Sequence, residues 1–519
     1  VKTFSFGIIG ISLVLLMVPW HYGGVTTSSW LLCSIILSLL FLALALRRFR
    51  AATMAGSRQR WLPHLSGLEV ILLLFVLYPF AQLIPLPRSV VQMISPTRVQ
   101  LEDMARRAKN CSAIDGFELD YYEETEPDMT TRDAWLPLSI SPWRTFSAAV
   151  HGLVLLMWYC LLVSFFQDLK TVRLLFAVVI LAGVSQAVYG LIEFLSGHQH
   201  VLTYYSQGRN FVSGSFINRN HCAAFLGLSF FSSLGLIFHL VQRIGPGTVS
   251  WRKKVSLIFS ERNAGIFFWT VCSFLVGLGI LFTKSRSGII CVGMGIFFLI
   301  FIHYHKHSAW KSLVFFLVIL VLTFVMTGLT GVLDRFEILS TENFSRVGRF
   351  DMWAETLSIW QDYSLTGSGF NTFERIHPRY KQKPSTLFLE HAHNDYLEFF
   401  SEGGVIAFML LALFGVLVLK HFFENMKKIP NEIFPLFNGA FVGMIVFALH
   451  EFTDFNGHIL ANQLVFILLL SLVLVRDIDP LLLEAARRQS GLTRAELRQI
   501  PGPTLESNSR HYQKPEMLN

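Results

Sequence analysis

The stretch from His391 to Phe408, HAHNDYLEFFSEGGVIAF, sets two histidines, an amide and the carboxylates of Asp395, Glu398 and Glu402 directly before a long apolar run. Asp395 and Glu398 have capping-box spacing, so the sequence predicts a helix starting near Asp395, with His393 and Asn394 just outside its positive end. Such a place suits an anion. Gly403 and Gly404 are expected to let another backbone approach closely before Val405 to Leu419 continues as an apolar helix. Polar residues ahead of a membrane helix also serve as a plain interfacial collar, so the stretch takes its meaning from residues elsewhere.

Those residues are cations in small-residue settings. Thr283-Lys284-Ser285-Arg286-Ser287-Gly288 separates two apolar runs by a turn of a few residues carrying Lys284 and Arg286. Arginine inside a bilayer is costly, about 2.5 to 3.5 kcal/mol at the centre, so these cations belong at the membrane surface. There they act either as snorkelling anchors or, beside exposed backbone N–H groups, as an anion site. Arg346 and Arg349 flank Val347-Gly348 ahead of a helix bearing Trp353 and Trp360, and a guanidinium fork suits bidentate phosphate contacts. Arg209, Asn220 and their neighbours lead into a further span and line the same face. Arginines from separate loops meeting a histidine suit a diphosphate headgroup with a lipid tail. No nucleotide-phosphate loop, Rossmann fingerprint or DxD-like metal site accompanies them, so a lipid-linked donor fits better than a nucleotide-linked one.

The elements that must position these groups are transmembrane helices. In 519 residues, 53% are hydrophobic and 48 are phenylalanine, with mean hydropathy +0.50, too apolar for a soluble protein. Apolar runs fall near 4–20, 28–46, 67–84, 147–166, 171–195, 219–242, 264–282, 287–304, 309–330, 404–420, 432–450 and 459–475, so we expect an all-α polytopic membrane protein with about 12 transmembrane helices. The net charge of +8 lies in short loops. That is a topology signal and argues against a nucleic-acid partner. Arg47, Arg173, Arg243, Lys306 and Lys427 fall in alternate connections, which makes their side cytoplasmic together with both termini. The site residues then share the opposite face. The first apolar run lacks a small-residue cleavage site after Val18 and reads as an uncleaved span.

Residues 1–475 thus form one transmembrane unit with long non-cytoplasmic insertions at 85–146 and 331–403, the latter containing short helices. Residues 476–519 form a cytoplasmic, mostly disordered tail with an amphipathic helix around Leu481 to Leu497. The acidic part of the first insertion reads as solvated surface. Six cysteines are scattered without a CxxC pair, which argues against a disulfide framework or zinc site. His391, His393 and Asp395 offer ligand types, but Asp395 is better used as a helix cap, and no metal or cofactor is expected.

The chain resembles the O-antigen ligase and polymerase superfamily. His393, Asn394 and Gly404 meet its signature of His, Asn or Ser, nine residues, then Gly, and Arg286 opens an Arg-xxx-Leu-like signature in which Ile290 replaces Leu. SGSFINRNHCAAFL (213–226), GRFDMWAE (348–355), LTGSGFNTF (365–373) and HEFTDFNGH (450–458) also look like family landmarks. The resemblance implies a glycosyltransferase of the bacterial inner membrane. It would move a glycan from undecaprenyl diphosphate to a lipid or glycan acceptor, such as lipid A-core, on the periplasmic face, without a metal and with inversion. His393 is then the base on the acceptor hydroxyl, and Arg286 and Arg349 hold the leaving group. Arg346, Asn394, Arg209, Asn220, Lys284 and His391 are the implied substrate contacts. A polymerase or a protein O-oligosaccharyltransferase shares these motifs. A transporter of similar helix number is expected instead to show two similar halves and mid-membrane charges.

Overall fold

The computed structural model describes residues 2–54, 67–114, 135–166, 168–197, 200–205, 210–243, 263–306, 349–382 and 388–475, and singly 311, 314 and 318. Its architecture is all-α apart from two short two-stranded ladders. Seven helices are long and apolar enough to cross a membrane, and four shorter apolar ones accompany them. The long ones comprise α2 (Thr27–Met54), α6 (Pro142–Phe165), α7 (Leu169–Ser196), α8 (Arg219–Gln242), α9 (Ala264–Phe282), α10 (Arg286–Tyr304) and α13 (Asp395–Asn425). The shorter are α1 (Lys2–Met17), α3 (Gly67–Leu83), α14 (Phe434–His450) and α15 (Leu460–Val473). Every apolar run expected from the sequence has its helix except 309–330, which lies outside the described residues apart from isolated positions. Arg209, Arg346, the acidic stretch from Asp115 to Asp128 and the tail from 476 also lie outside them. The chain is a polytopic membrane protein.

The core is built on α8 and α14. Gly235 and Gly439 let their backbones touch, since a Cβ on Gly439 would sit 2.6 Å from the Phe231 carbonyl oxygen and 2.8 Å from Gly235 Cα. Large aromatics fill the space beside them, with Phe422 of α13 stacked on Phe441 at 3.6 Å between centroids. A polar group inside the bundle is costly unless it is paired. Trp158 donates its indole N–H to the Leu464 carbonyl, and Asn438 donates to that of Leu299.

At one end of the bundle the two long insertions form a lobe. Residues 85–146 contribute α4 (Arg88–Ile94), α5 (Pro96–Ile114) and the ladder of β1 (Leu86–Pro87) with β2 (Trp135–Leu136). The second insertion contributes α11 (Arg349–Asp362) and α12 (Phe373–Ile376), whose Met352, Ile359, Tyr363, Phe373 and Ile376 form a small apolar core with Leu389 and Ala392. The first insertion braces the second: the Ile140 N–H donates to Ser368 O at 2.9 Å, Thr145 Oγ1 donates to Phe370 O, and Arg144 pairs with Glu374.

The Gly403-Gly404 pair does what its composition suggests, with a backbone as the neighbour. Gly404, at φ 65° and ψ −169°, breaks α13 into two helical stretches. Only glycine readily adopts that conformation. The turn segment 364–369 enters the break: Val405 N–H donates to Ser364 O, and Ser368 and Gly369 N–H donate to Ser401 and Glu402 O. Gln82 of α3 donates to both Thr366 O and Glu402 O, tying the two backbones to a third helix. The short polar stretch 395–403 is thereby fixed at an angle to the apolar one that follows.

Candidate active site

Four helix ends meet on the lobe side of the bundle. Three are N-termini with a side-chain cap: Asn218 accepts from Asn220 N–H at the start of α8, Ser285 from Gly288 N–H at α10, and Asn394 from Leu397 N–H at α13. The fourth is the C-terminus of α14, which runs into the turn 451–459. Aligned N-termini carry partial positive charge, so the end that gathers the three favours an anion.

Asp454 links them. It is fully buried, and its Oδ1 lies 3.2 Å from His393 Nδ1 and 3.6 Å from His221 Nε2, while Oδ2 accepts from Asn220 Nδ2. Burial alone opposes a charged carboxyl, but the hydrogen bonds from His221 and His393 outweigh it and hold Asp454 well below the ordinary range. An ionised Asp454 fixes the proton of His393 on Nδ1. Nε2 is then the bare, basic nitrogen, on a side chain that is 31% exposed. His393 holds this pose at φ 50°, a left-handed conformation uncommon for a residue with a Cβ.

The arginines approach from the side of α10 and α14. Ser287, next to Arg286, lies 3.1 Å from His450 Nε2, and His450 is within electrostatic reach of Arg349, Asp454 and His221. Arg286 is exposed and Arg349 half-buried. Ser287 thus sets the start of α10 against the His450 to Asp454 turn, and Arg349 lies within electrostatic reach of the same turn. Lys284, also at positive φ, is directed to Asn210 Oδ1 and lies 5.5 Å from the Phe194 ring.

Several expected contacts are corrected by the geometry. Asn394, 5% exposed, uses its side-chain oxygen to cap α13, so it shapes the site rather than lining it. Asp395 is the first helical residue and not the cap; its Oδ2 accepts from Gly457 N–H. Glu398 does not close a capping box either, because its carboxylate accepts from His391 Nδ1 at 2.8 Å and Ala392 N–H at 2.7 Å. Asn220 orients Asp454. The turn expected to present free N–H groups beside Arg286 has those of Thr283, Lys284, Ser285 and Gly288 occupied, by Gly279 O, Leu281 O, Thr283 Oγ1 and Ser285 Oγ. The ligand triplet His391, His393 and Asp395 is not assembled: His393 turns to Asp454, and His391 turns to Glu398 and His458.

His391 and His393 both pack against Phe455, in different orientations. That ring stacks on His391 at 4.4 Å and meets His393 and His221 edge-on at 4.9 and 4.5 Å. Burial works against a charged His391, yet the Glu398 carboxylate more than compensates and lifts its pKa to about 9. Asp454, His221 and His450 were not singled out as site residues from the sequence. The run HEFTDFNGH held a signal, since two histidines and two acidic groups within nine residues are unusual between apolar helices.

A polytopic helical bundle with charged, histidine-bearing residues gathered at one end defines a multi-pass membrane protein. Residues 271–412 match the family model described as O-antigen ligase. The match includes Arg286, Arg349 and His393 and ends before Asp454. No curated protein sequence matches the chain.

Proposed function

We propose that the protein transfers a glycan from undecaprenyl diphosphate to an acceptor hydroxyl, with lipid A-core the expected acceptor, on the periplasmic face of the inner membrane. The observation that supports this reading best is the His393–Asp454 pair standing where three capped helix N-termini meet, with Arg286 and Arg349 alongside. His393 Nε2 takes the proton from the acceptor hydroxyl as its oxygen attacks the anomeric carbon. The bond from that carbon to the diphosphate oxygen breaks on the opposite side, which inverts the centre and releases undecaprenyl diphosphate. Charge grows on the departing diphosphate, and the guanidinium groups with the helix N-termini offset it, a role that needs no metal ion. Proton removal by a placed base contributes about 10²- to 10⁴-fold.

The remaining contacts divide by distance from the reaction. Lys284, Arg346 and Arg209 add positive charge around the headgroup, whereas Asn220, Asn394 and His391 act through the residues they hold. Residues 1–475 form the catalytic unit, and the cytoplasmic side bears both termini and the tail.

The test is a deletion strain complemented with the wild type, His393→Ala or Arg286→Ala, read by its surface polysaccharide. Either variant should leave core-attached chains missing while long lipid-linked polymer accumulates. Wild-type attachment in both overturns the reading. Cores capped by single repeats identify a polymerase instead, and glycan on protein in the same strain identifies a protein oligosaccharyltransferase.

A further inference from the structure

Beside Phe455, three donor atoms from two segments distant in sequence converge, and a fourth borders them. His391 Nδ1 lies 2.8 Å from Glu398 Oε1, and His458 Nε2 lies 3.4 Å from both Glu398 Oε1 and Asp395 Oδ1. The ligand atoms of His391, Glu398 and His458 all fall within 4.8 Å of one another. The two imidazoles face each other at 4.3 Å between centroids, a separation at which two protonated rings would repel.

Each carboxylate is prepared by its second oxygen. Glu398 Oε2 accepts from Ala392 N–H at 2.7 Å and Asp395 Oδ2 from Gly457 N–H at 2.8 Å, so the other oxygen of each is turned towards the histidines. Asp395 Oδ1 is buried there without a well-formed hydrogen bond, 3.4 Å from His458 Nε2, while its carboxyl also interacts with that of Glu451. Buried carboxylate oxygens are ordinarily satisfied, and backbone groups that orient ligating carboxylates are a regular companion of metal sites.

We propose that His391, Asp395, Glu398 and His458 bind a divalent zinc ion that fastens the start of α13 to the turn 451–459. Zinc takes four nitrogen and oxygen ligands at about 2.0 to 2.2 Å in a tetrahedron, which puts neighbouring ligand atoms roughly 3.3 Å apart. Both His458 distances already have that length, the His391–Glu398 pair must open by about 0.5 Å to reach it, and Asp395 Oδ1, outside the mutual 4.8 Å grouping of the other three, must move in to complete the set. Two imidazoles with two carboxylates suit zinc better than calcium or magnesium, which prefer all-oxygen shells. The ion enters past His458, whose side chain is 38% exposed. It holds the two segments that supply His393 and Asp454 and takes no part in glycan transfer, so its binding is independent of the substrate assigned above.

The test uses the full-length protein in detergent, stripped with a chelator and titrated with Zn²⁺ alone. One ion per chain should bind, with binding lost by more than about a hundredfold in His458→Ala and in Glu398→Gln, and unchanged in His305→Ala at the other end of the bundle. Saturating zinc should also raise the unfolding temperature of the wild type and leave that of His458→Ala where it was. Absence of stoichiometric binding by the wild type, or equal binding by His458→Ala, overturns the site. Because the wild-type titration decides the first point, a variant that fails to fold does not protect the proposal.

Discussion

Asp454 Oδ1 lies 3.2 Å from His393 Nδ1, joining the residue before the cap of α13 to the turn that follows α14. The carboxylate is sealed from solvent and the imidazole is not, so one partner is fixed and the other is presented. Everything the site is proposed to do follows from that asymmetry.

Replacing Asp454 by Asn keeps the shape and removes the charge that selects the His393 tautomer. Transfer should fall by about 10²-fold or more through the rate at saturating substrate, with apparent acceptor affinity little changed. Steady-state assay of purified protein checks this. A loss of affinity at unchanged rate would place Asp454 in acceptor binding instead.

The broken helix depends on two glycines. A Cβ on Gly367 would sit 2.0 Å from Glu402 O, and one on Gly404 would sit 2.4 Å from Leu365 O, with both residues at positive φ. Neither contact involves a side chain that can move aside. Gly404→Ala should therefore cost at least about 1 to 3 kcal/mol, and Gly367→Ala no less, as lower unfolding temperatures in detergent.

In the lobe, His377 and Glu355 are buried and 2.8 Å apart, and Glu355 also accepts from Gln382 N–H. Burial depresses the His377 pKa despite the neighbouring carboxylate. His377→Ala removes one of the two donors that Glu355 has away from water, which costs about 1 to 3 kcal/mol. Limited proteolysis should then cut within 349–382 while the bundle stays intact.

At the opposite end, Lys306 donates to Ile429 O and to Asn431 Oδ1 and lies over the Phe434 ring. Burial lowers its pKa from 10.5 to about 8. A lysine whose folded value is depressed binds fewer protons folded than unfolded between the two values. Stability should consequently rise from pH 8 towards 10.5, and Lys306→Met should flatten that slope in thermal unfolding.

The sequence by itself determined the helices and much of the chemistry. Runs such as 219–242 and 264–282 are long enough to satisfy their own backbones in an apolar phase, so their limits can be read without knowing any neighbour. The helix start beside His393 and Asn394 was legible for the same local reason. The Gly403-Gly404 pair announced a close backbone approach, although not that the visitor would be 364–369. Partner choice was decided by tertiary structure. Asp395 and Glu398 have the spacing of a local cap, yet the fold brings Gly457 and His458 within their reach, and those longer-range bonds prevail. Asp454 carried no local mark as the partner of His393, because a contact spanning 61 residues depends on how α13 and α14 pack, which no window of sequence contains.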